Sequence, residues 1–172
     1  MSNDDIIREL KDREEILAKK YRYCRAADAL DHDVMLESFT DDCQIDFYPD
    51  SDLGKAASKD ELRVFFVEAQ EPVLSSSHHI SNIDLRFVSA DVATLHCYLY
   101  SWQRFRGYPE VGDCHRWARY EEEWVRTDDG WLQRTLVYRV AGELNGDAFG
   151  LRIGEIVNRP VWPDVDPASV AN

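Results

Sequence analysis

The sequence predicts an α+β fold, with N-terminal helices packed on a mostly antiparallel sheet, and three observations predict it. Residues 4–30 contain no Gly or Pro and are rich in helix formers. From Ser77 onward the apolar period changes from 3.6 to 2, with Ile83, Leu85 and Phe87 alternating with Asp84 and Arg86. The helical patterns come first and the strand patterns last, and that segregated order is the α+β signature.

In chain order, Leu17, Tyr21, Cys24 and Asp28 form one stripe of the first helix, and Ile16, Tyr23, Ala27 and Leu30 form the stripe beside it. Asp33 can cap a short second helix over residues 34–39. Thr40, Asp41 and Asp42 turn the chain into a strand over residues 43–48, and residues 49–57 read as a loop. Ser58 and Glu61 frame a capping box for a third helix that ends before Pro72. The strands then run from Ser77 through Phe87, and over 92–105, 114–126 and 131–140, with turns at Ser89-Ala90-Asp91, Gly107-Tyr108-Pro109 and Asp128-Asp129-Gly130. One domain spans residues 1–172. Its last thirty residues, with Pro160, Pro163 and Pro167, have no clear period and read as a tail lying on the domain or on a neighbouring subunit.

Composition narrows the function. The chain has 172 residues, 33 of them acidic and 20 basic, for a net charge of −13. The basic residues are scattered, which argues against nucleic acid and against an anionic membrane surface. No apolar run is long enough for a membrane span or a signal peptide, so a cytoplasmic protein is expected. Cys24, Cys43, Cys97 and Cys114 stand far apart beside apolar residues and read as small buried side chains in a reducing compartment. The five histidines have no metal-ligand spacing with them, and no metal is expected. Nucleotide-binding and hydrolase motifs are absent.

Candidate chemistry therefore rests on polar groups in apolar settings. Asp28 continues an apolar stripe as a carboxylate, and must be exposed at the helix end or paired. Tyr23 lies on the adjacent stripe. His78 and His79 open the first strand of the meander. Strict alternation puts His79 on the face of Ile83, Leu85 and Phe87, whereas a β-bulge would put His78 there. Tyr98, Tyr100 and Trp102, then Trp117, Tyr120 and Trp124, and finally Trp131 and Tyr138, supply aromatic groups of which one parity could wall a cavity for a flat ligand.

Four segments in this order resemble the SnoaL-like branch of the nuclear-transport-factor-2-like superfamily over residues 4–142. They are Tyr23 with Asp28 and Asp31, Leu36 through Asp42, Ser77 through Asn82, and Trp124-Val125-Arg126 with Gly130-Trp131. The resemblance implies a cone-shaped α+β barrel, helices on a strongly curved sheet enclosing a pocket. The family includes scytalone dehydratase, bile-acid 7α-dehydratase and hexachlorocyclohexane dehydrochlorinase, which use no cofactor. Their catalytic Asp maps to Asp28 and their His to His78, first residue of a pattern that Asn82 closes. Tyr23 holds the place of a contributing tyrosine. The aromatic content differs from the family pattern: Trp102 stands where one dehydratase has a second histidine, and Phe47 where it has a tyrosine. Asp46 lies near the place of the aspartate used by isomerases of the superfamily.

The resemblance implies a cofactor-independent, dehydratase-like lyase acting on an aromatic or polycyclic small molecule, with retro-aldol-type cleavage using the same groups. His78 would be the base, Asp28 its orienting partner and Tyr23 a hydrogen-bond donor. Tyr48, Trp102, Tyr120, Trp124, Tyr138 and Asn82 would contact substrate. A homo-oligomer, trimer first and dimer second, is implied by the same likeness. The alternatives are an isomerase or cyclase of the superfamily, and the non-catalytic small subunit of a ring-hydroxylating dioxygenase.

Overall fold

The computed structural model describes residues 2–49, 54–106 and 113–145. The elements run α1 (Asn3–Ala29), α2 (His32–Leu36), β1 (Phe39–Asp46), β2 (Lys55–Ala56), α3 (Lys59–Gln70), β3 (Val73–Phe87), β4 (Val92–Phe105), β5 (Cys114–Thr127) and β6 (Gly130–Leu144). The expectations for the C-terminal tail beyond residue 145 and for the turn at Gly107-Tyr108-Pro109 lie outside the described residues.

One six-stranded sheet has the order β2-β1-β6-β5-β4-β3. Strands β3 to β6 form the antiparallel meander, and β1 joins β6 in parallel. The sheet is open, with β2 and β3 at its edges, so the cone is not a closed barrel. Helix α1 crosses β3 and β6, and α3 lies on β1 and β2. The helix-covered face is the inner face of the sheet.

Several boundaries differ from the sequence expectation. Asp31, not Asp33, caps α2, its carboxylate accepting from the Val34 amide at 3.1 Å. Thr40, Asp41 and Asp42 do not turn the chain: β1 already begins at Phe39, which registers with Gln133 before an irregularity that ends at Gln44. The residues read as a loop contain β2, too short to show a period, which pairs with Ile45 and Asp46. Ser58 caps α3 as expected, accepting from the Glu61 amide, but the Glu61 carboxylate accepts from the Ala57 amide at 2.8 Å, so the reciprocal half of the capping box is displaced by one residue.

The buried stripe of α1 is Asp12, Ile16, Lys20, Tyr23, Cys24, Ala26 and Ala27. Tyr21, expected in the core, is 41% exposed. Lys20 takes the core position instead and forms an ion pair with Glu122 in which both side chains are fully buried. Its ammonium sits 3.7 Å from the centre of the Tyr120 ring. The second Glu122 oxygen accepts from Trp124 Nε1 at 2.8 Å. Burial opposes the charge on Lys20, but Glu122 beside it reverses the balance and holds the ammonium well above its ordinary range. Further polar ties run from Arg13 to the Leu85 carbonyl at 2.8 Å, from the Trp131 amide to Glu15 at 2.8 Å, and from Arg126 to Asp12 at 2.5 Å.

Breaking a fully buried pair on one side leaves a charge with no solvent and no partner. Lys20→Met is expected to lower the free energy of unfolding in urea by ~3–5 kcal/mol. Lys20→Met with Glu122→Met should recover most of that loss. A single variant as stable as the parent would contradict the account.

Candidate active site

Asp28 lies in the last turn of α1, where a carboxylate faces the negative end of the helix dipole and no basic residue offsets it. Local helix stability does not explain an aspartate there; its partners do. His78 Nδ1 donates to Asp28 Oδ1 at 2.6 Å, and the His78 backbone amide donates to Oδ2 at 3.1 Å. Ser76 Oγ also donates to Oδ1, at 3.3 Å. The carboxylate thus receives three donors from one edge strand.

The helix ends at this point because Leu30 turns left-handed, with φ of 57°, and its amide caps carbonyls of the preceding turn. Partial burial of Asp28 favours its neutral form. The ring, backbone and hydroxyl donors of His78 and Ser76 outweigh that and hold the carboxyl below its ordinary value. An ionised Asp28 can only accept, so the proton on the shared axis belongs to His78 Nδ1. In the neutral ring Nε2 then carries the lone pair. The His78 side chain is 12% exposed and that of Asp28 28%, so the pair is shielded but reachable.

A bulge in β3 decides which histidine faces inward. Ser81 registers with Tyr98 and Asp84 with His96, so Asn82 and Ile83 together oppose Cys97. Asn82 has φ of 50°, a left-handed conformation that Asn tolerates better than most residues. Before the bulge Ser76, His78 and Ile80 share the inner face, and after it Ile83, Leu85 and Phe87 do. His79 therefore points outward, exposed, bonded to Ser77 Oγ at 2.8 Å and lying against Tyr100.

The other expected site residues divide. Tyr23 is 3% exposed, edge-on to Phe39 at 5.7 Å, with Tyr120 beside its hydroxyl and the Lys20 ammonium 4.8 Å from its ring. It sits in the core and has no described hydrogen bond to Asp28 or His78. Tyr120 and Tyr138 are inner-face neighbours with ring centres 5.5 Å apart. Burial raises both phenols and also Tyr48, so all three keep their protons near neutrality. The Tyr48 ring lies over Gly54, whose φ of 69° and lack of a Cβ make room for it. Asp46, half-buried, accepts from the Tyr48 amide at 3.1 Å and serves that turn.

Trp102, Trp124 and Asn82 are corrected. Alternation along β4 buries Leu95, Cys97, Leu99 and Ser101, so Tyr98, Tyr100 and Trp102 face outward. Trp102 pairs with His115 and donates to Asp113 at 2.8 Å, away from Asp28 and His78. Trp124 faces inward but is fully buried, its indole nitrogen engaged by Glu122, so it is core. Asn82 is exposed and sets the bulge.

Four further inner-face groups carry polarity that the sequence reading passed over: Ser101, Gln103, Arg116 and Glu143. Arg116 Nε donates to Glu143 at 2.5 Å and Nη1 to Gln103 at 2.8 Å. Ser101 is registered with both His78 and Arg116.

An open, helix-covered sheet of this strand order defines a fold. The chain belongs to the SnoaL-like family, whose domain it matches over residues 8–137. No curated protein gives a significant sequence match. A scytalone dehydratase-like protein of Novosphingobium aromaticivorans is similar in structure, with a TM-score of 0.75 at 19% identity over 93% of this chain and 100% of that one. An aromatic ring hydroxylase-like protein of the same organism gives 0.69 at 22% identity, over 77% of this chain and 91% of that one. The hexachlorocyclohexane dehydrochlorinase of Novosphingobium barchaimii gives 0.69 at 16% identity, over 80% and 91%. These likenesses establish the fold. No helix among the described residues is long and apolar enough to cross a membrane.

The depressed Asp28 carboxyl has a thermodynamic consequence. Its stabilising contribution is complete above its ordinary value of 3.8 and is lost as the pH falls through the lower, folded-state value. Between about pH 4 and 2 the stability difference between the parent and Asp28→Asn should shrink as the carboxyl is protonated. Urea titrations at each pH measure it, and a difference that grows over that range would contradict the assignment.

Proposed function

We propose that the protein is a cofactor-independent lyase, dehydratase-like, that uses His78 and Asp28 to remove a proton from carbon and expel a leaving group. The observation that carries this reading is the 2.6 Å bond between Asp28 and His78 Nδ1 on the inner face of the sheet. It fixes the tautomer with Nε2 free and stabilises the imidazolium as it forms.

In the dehydration the substrate C–H bond breaks, its proton passes to Nε2, and its electron pair forms the new double bond as the carbon–oxygen bond breaks. The departing hydroxide takes a proton, from the same imidazolium or from a phenol, and leaves as water. Tyr48 and Tyr138 keep their protons and can donate in this way, whereas Tyr23 acts by shaping the core beneath the pair. Acid–base catalysis of this kind supplies about 10²–10⁴-fold, and holding the substrate in a shielded, aromatic site supplies the remainder. Retro-aldol-type cleavage or isomerisation would begin with the same proton transfer. An aromatic or polycyclic substrate is supported by Phe47, Phe65 and Phe66, whose rings meet at 4.8–6.2 Å beside Tyr138.

The similarity to an aromatic ring hydroxylase-like protein favours a second reading, a non-catalytic partner of an oxygenase. A subunit without chemistry has no need of a carboxylate locked to an inward histidine. Co-purification of a large Rieske-type subunit would support that second reading against the first. A homo-oligomer, trimer first, fits the outer face, where Trp117 is 48% exposed beside Tyr100 and His115.

His78→Ala and Asp28→Asn should each lower turnover at least about a hundredfold while the far-ultraviolet circular dichroism is unchanged. The assay follows loss of water, by mass spectrometry, from a panel of hydroxylated aromatic ketones. Near-normal activity in both variants would overturn the proposal.

A further inference from the structure

Ser75, Ser76 and Ser77 lead into His78, and the register gives the middle one to the site. Ser77 alternates outward, where its hydroxyl meets His79 Nε2 at 2.8 Å. Ser76 lies on the inner face with His78, against the last turn of α1. Opposite it on β4, the Gln103 side-chain oxygen is already engaged by Arg116 Nη1. The Ser76 hydroxyl has two acceptors in reach on α1, Asp28 Oδ1 at 3.3 Å and the Ala27 carbonyl at 3.5 Å.

Those two oxygens meet at an unfavourable place. The last carbonyls of a helix have no partner within it and form its negative end, which disfavours a carboxylate beside them. The last turn of α1 carries no basic residue to relieve this. The Leu30 amide reaches the Ala27 carbonyl at 3.3 Å, and a carbonyl can take a second donor. Ser76 Oγ offers that donor from outside the helix, and it is within reach of the carboxylate at the same time.

A hydroxyl has one proton, so it serves one of the two oxygens at a time and turns between them by rotation about a single bond. The ionised carboxylate is the stronger acceptor. While the His78 ring is neutral, the Ser76 proton therefore rests on Oδ1, the oxygen that also accepts from His78 Nδ1. When the ring becomes charged, Nδ1 draws more fully on Oδ1, and Ser76 turns to Ala27. The other carboxylate oxygen stays on the His78 amide in both states. A donor that yields in this way satisfies the carboxylate before the proton transfer without competing for it afterwards. Ser76 keeps its own proton throughout.

We propose that Ser76 is a positioning residue acting through Asp28: its hydroxyl bridges the carboxylate and the Ala27 carbonyl, and so lets the negative end of α1 carry the group that orients His78. The same bridge ties the end of the helix to the edge strand at the level of the site. Its use in catalysis rests on the lyase reading, but the bridge itself is tested by stability.

The test is a double-mutant cycle in urea at pH 7 on the whole chain, joining Ser76→Ala with Asp28→Asn. Ser76→Ala should lower the folding equilibrium constant at least about threefold more in the parent than in the Asp28→Asn background, where the charge it serves is gone. Ser76→Thr keeps the hydroxyl and should stay near the parent. Absence of coupling between the two changes overturns the proposal. So does a Ser76→Thr as destabilised as Ser76→Ala, since packing and not the hydroxyl would then be responsible. If Ser76→Ala does not fold, Ser76→Cys, similar in shape but a much weaker donor, replaces it with the same expectation. Where the parent eliminates water, Ser76→Ala should lower kcat about tenfold with KM unchanged, because Ser76 acts through Asp28 and does not touch substrate. An unchanged kcat there overturns the positioning role. The expected coupling in a parent that eliminates nothing would sustain the bridge and overturn the lyase reading alone.

Discussion

The buried ion pair between Lys20 and Glu122 sets the position of everything the site needs. Neither charge is reached by solvent, so the ammonium must meet the carboxylate and the faces of the Tyr120 and Tyr23 rings. A hydrophobic contact slides along a sheet at modest cost, but a buried charge away from its partner does not. The pair therefore fixes where α1 lies along β5. Asp28 follows eight residues later, about 12 Å along the helix axis, and so emerges over the edge strand β3. Cys24 and Ala27, small and buried, let the helix approach closely between these two points. A pair of this kind adds little net stability but selects one arrangement over its neighbours, and an acid–base site requires a single arrangement.

The sheet contributes through its irregularities. The β3 bulge at Asn82 turns Ser76 and His78 inward while leaving Leu85 and Phe87 in the core. The β6 bulge at Ala141 turns Glu143 inward to meet Arg116. Regular strands would have put an exposed histidine and a glycine in those places. Each bulge changes the face of a few residues and leaves the rest of the strand paired, which is how His78 and Glu143 reach the inner face while the core residues of the same strands stay in place.

Much of the fold was legible because helix and strand periods are local properties: α1, the α3 cap and the meander follow from spacing alone. The short β2 was not, since two residues have no period, and the start of β1 was hidden by the polar run Thr40-Asp41-Asp42. Asp28 and His78 were legible as polar groups in patterned segments. The choice between His78 and His79 was not, because a bulge is a property of the paired strands. Trp102 was misplaced because alternation reveals two faces without saying which is covered. Lys20 was legible and overlooked: it stands at helical spacing with Ile16, Tyr23 and Ala27, and Glu122 stands between Tyr120 and Trp124. Opposite charges embedded in two apolar patterns were the available signal. Arg116 beside Glu143 gave no such signal, because Ala141 breaks the alternation that would have joined them.

The central claim is that an ionised Asp28 holds His78 in one tautomer, with the proton on Nδ1 and the lone pair on Nε2. Nitrogen-15 NMR of the histidine side chains, with His78 assigned through His78→Gln, reads this directly at a pH where the ring is neutral. The account predicts a protonated Nδ1, its proton shifted downfield by the carboxylate, and an unprotonated Nε2. A proton on Nε2 and a bare Nδ1 would contradict it.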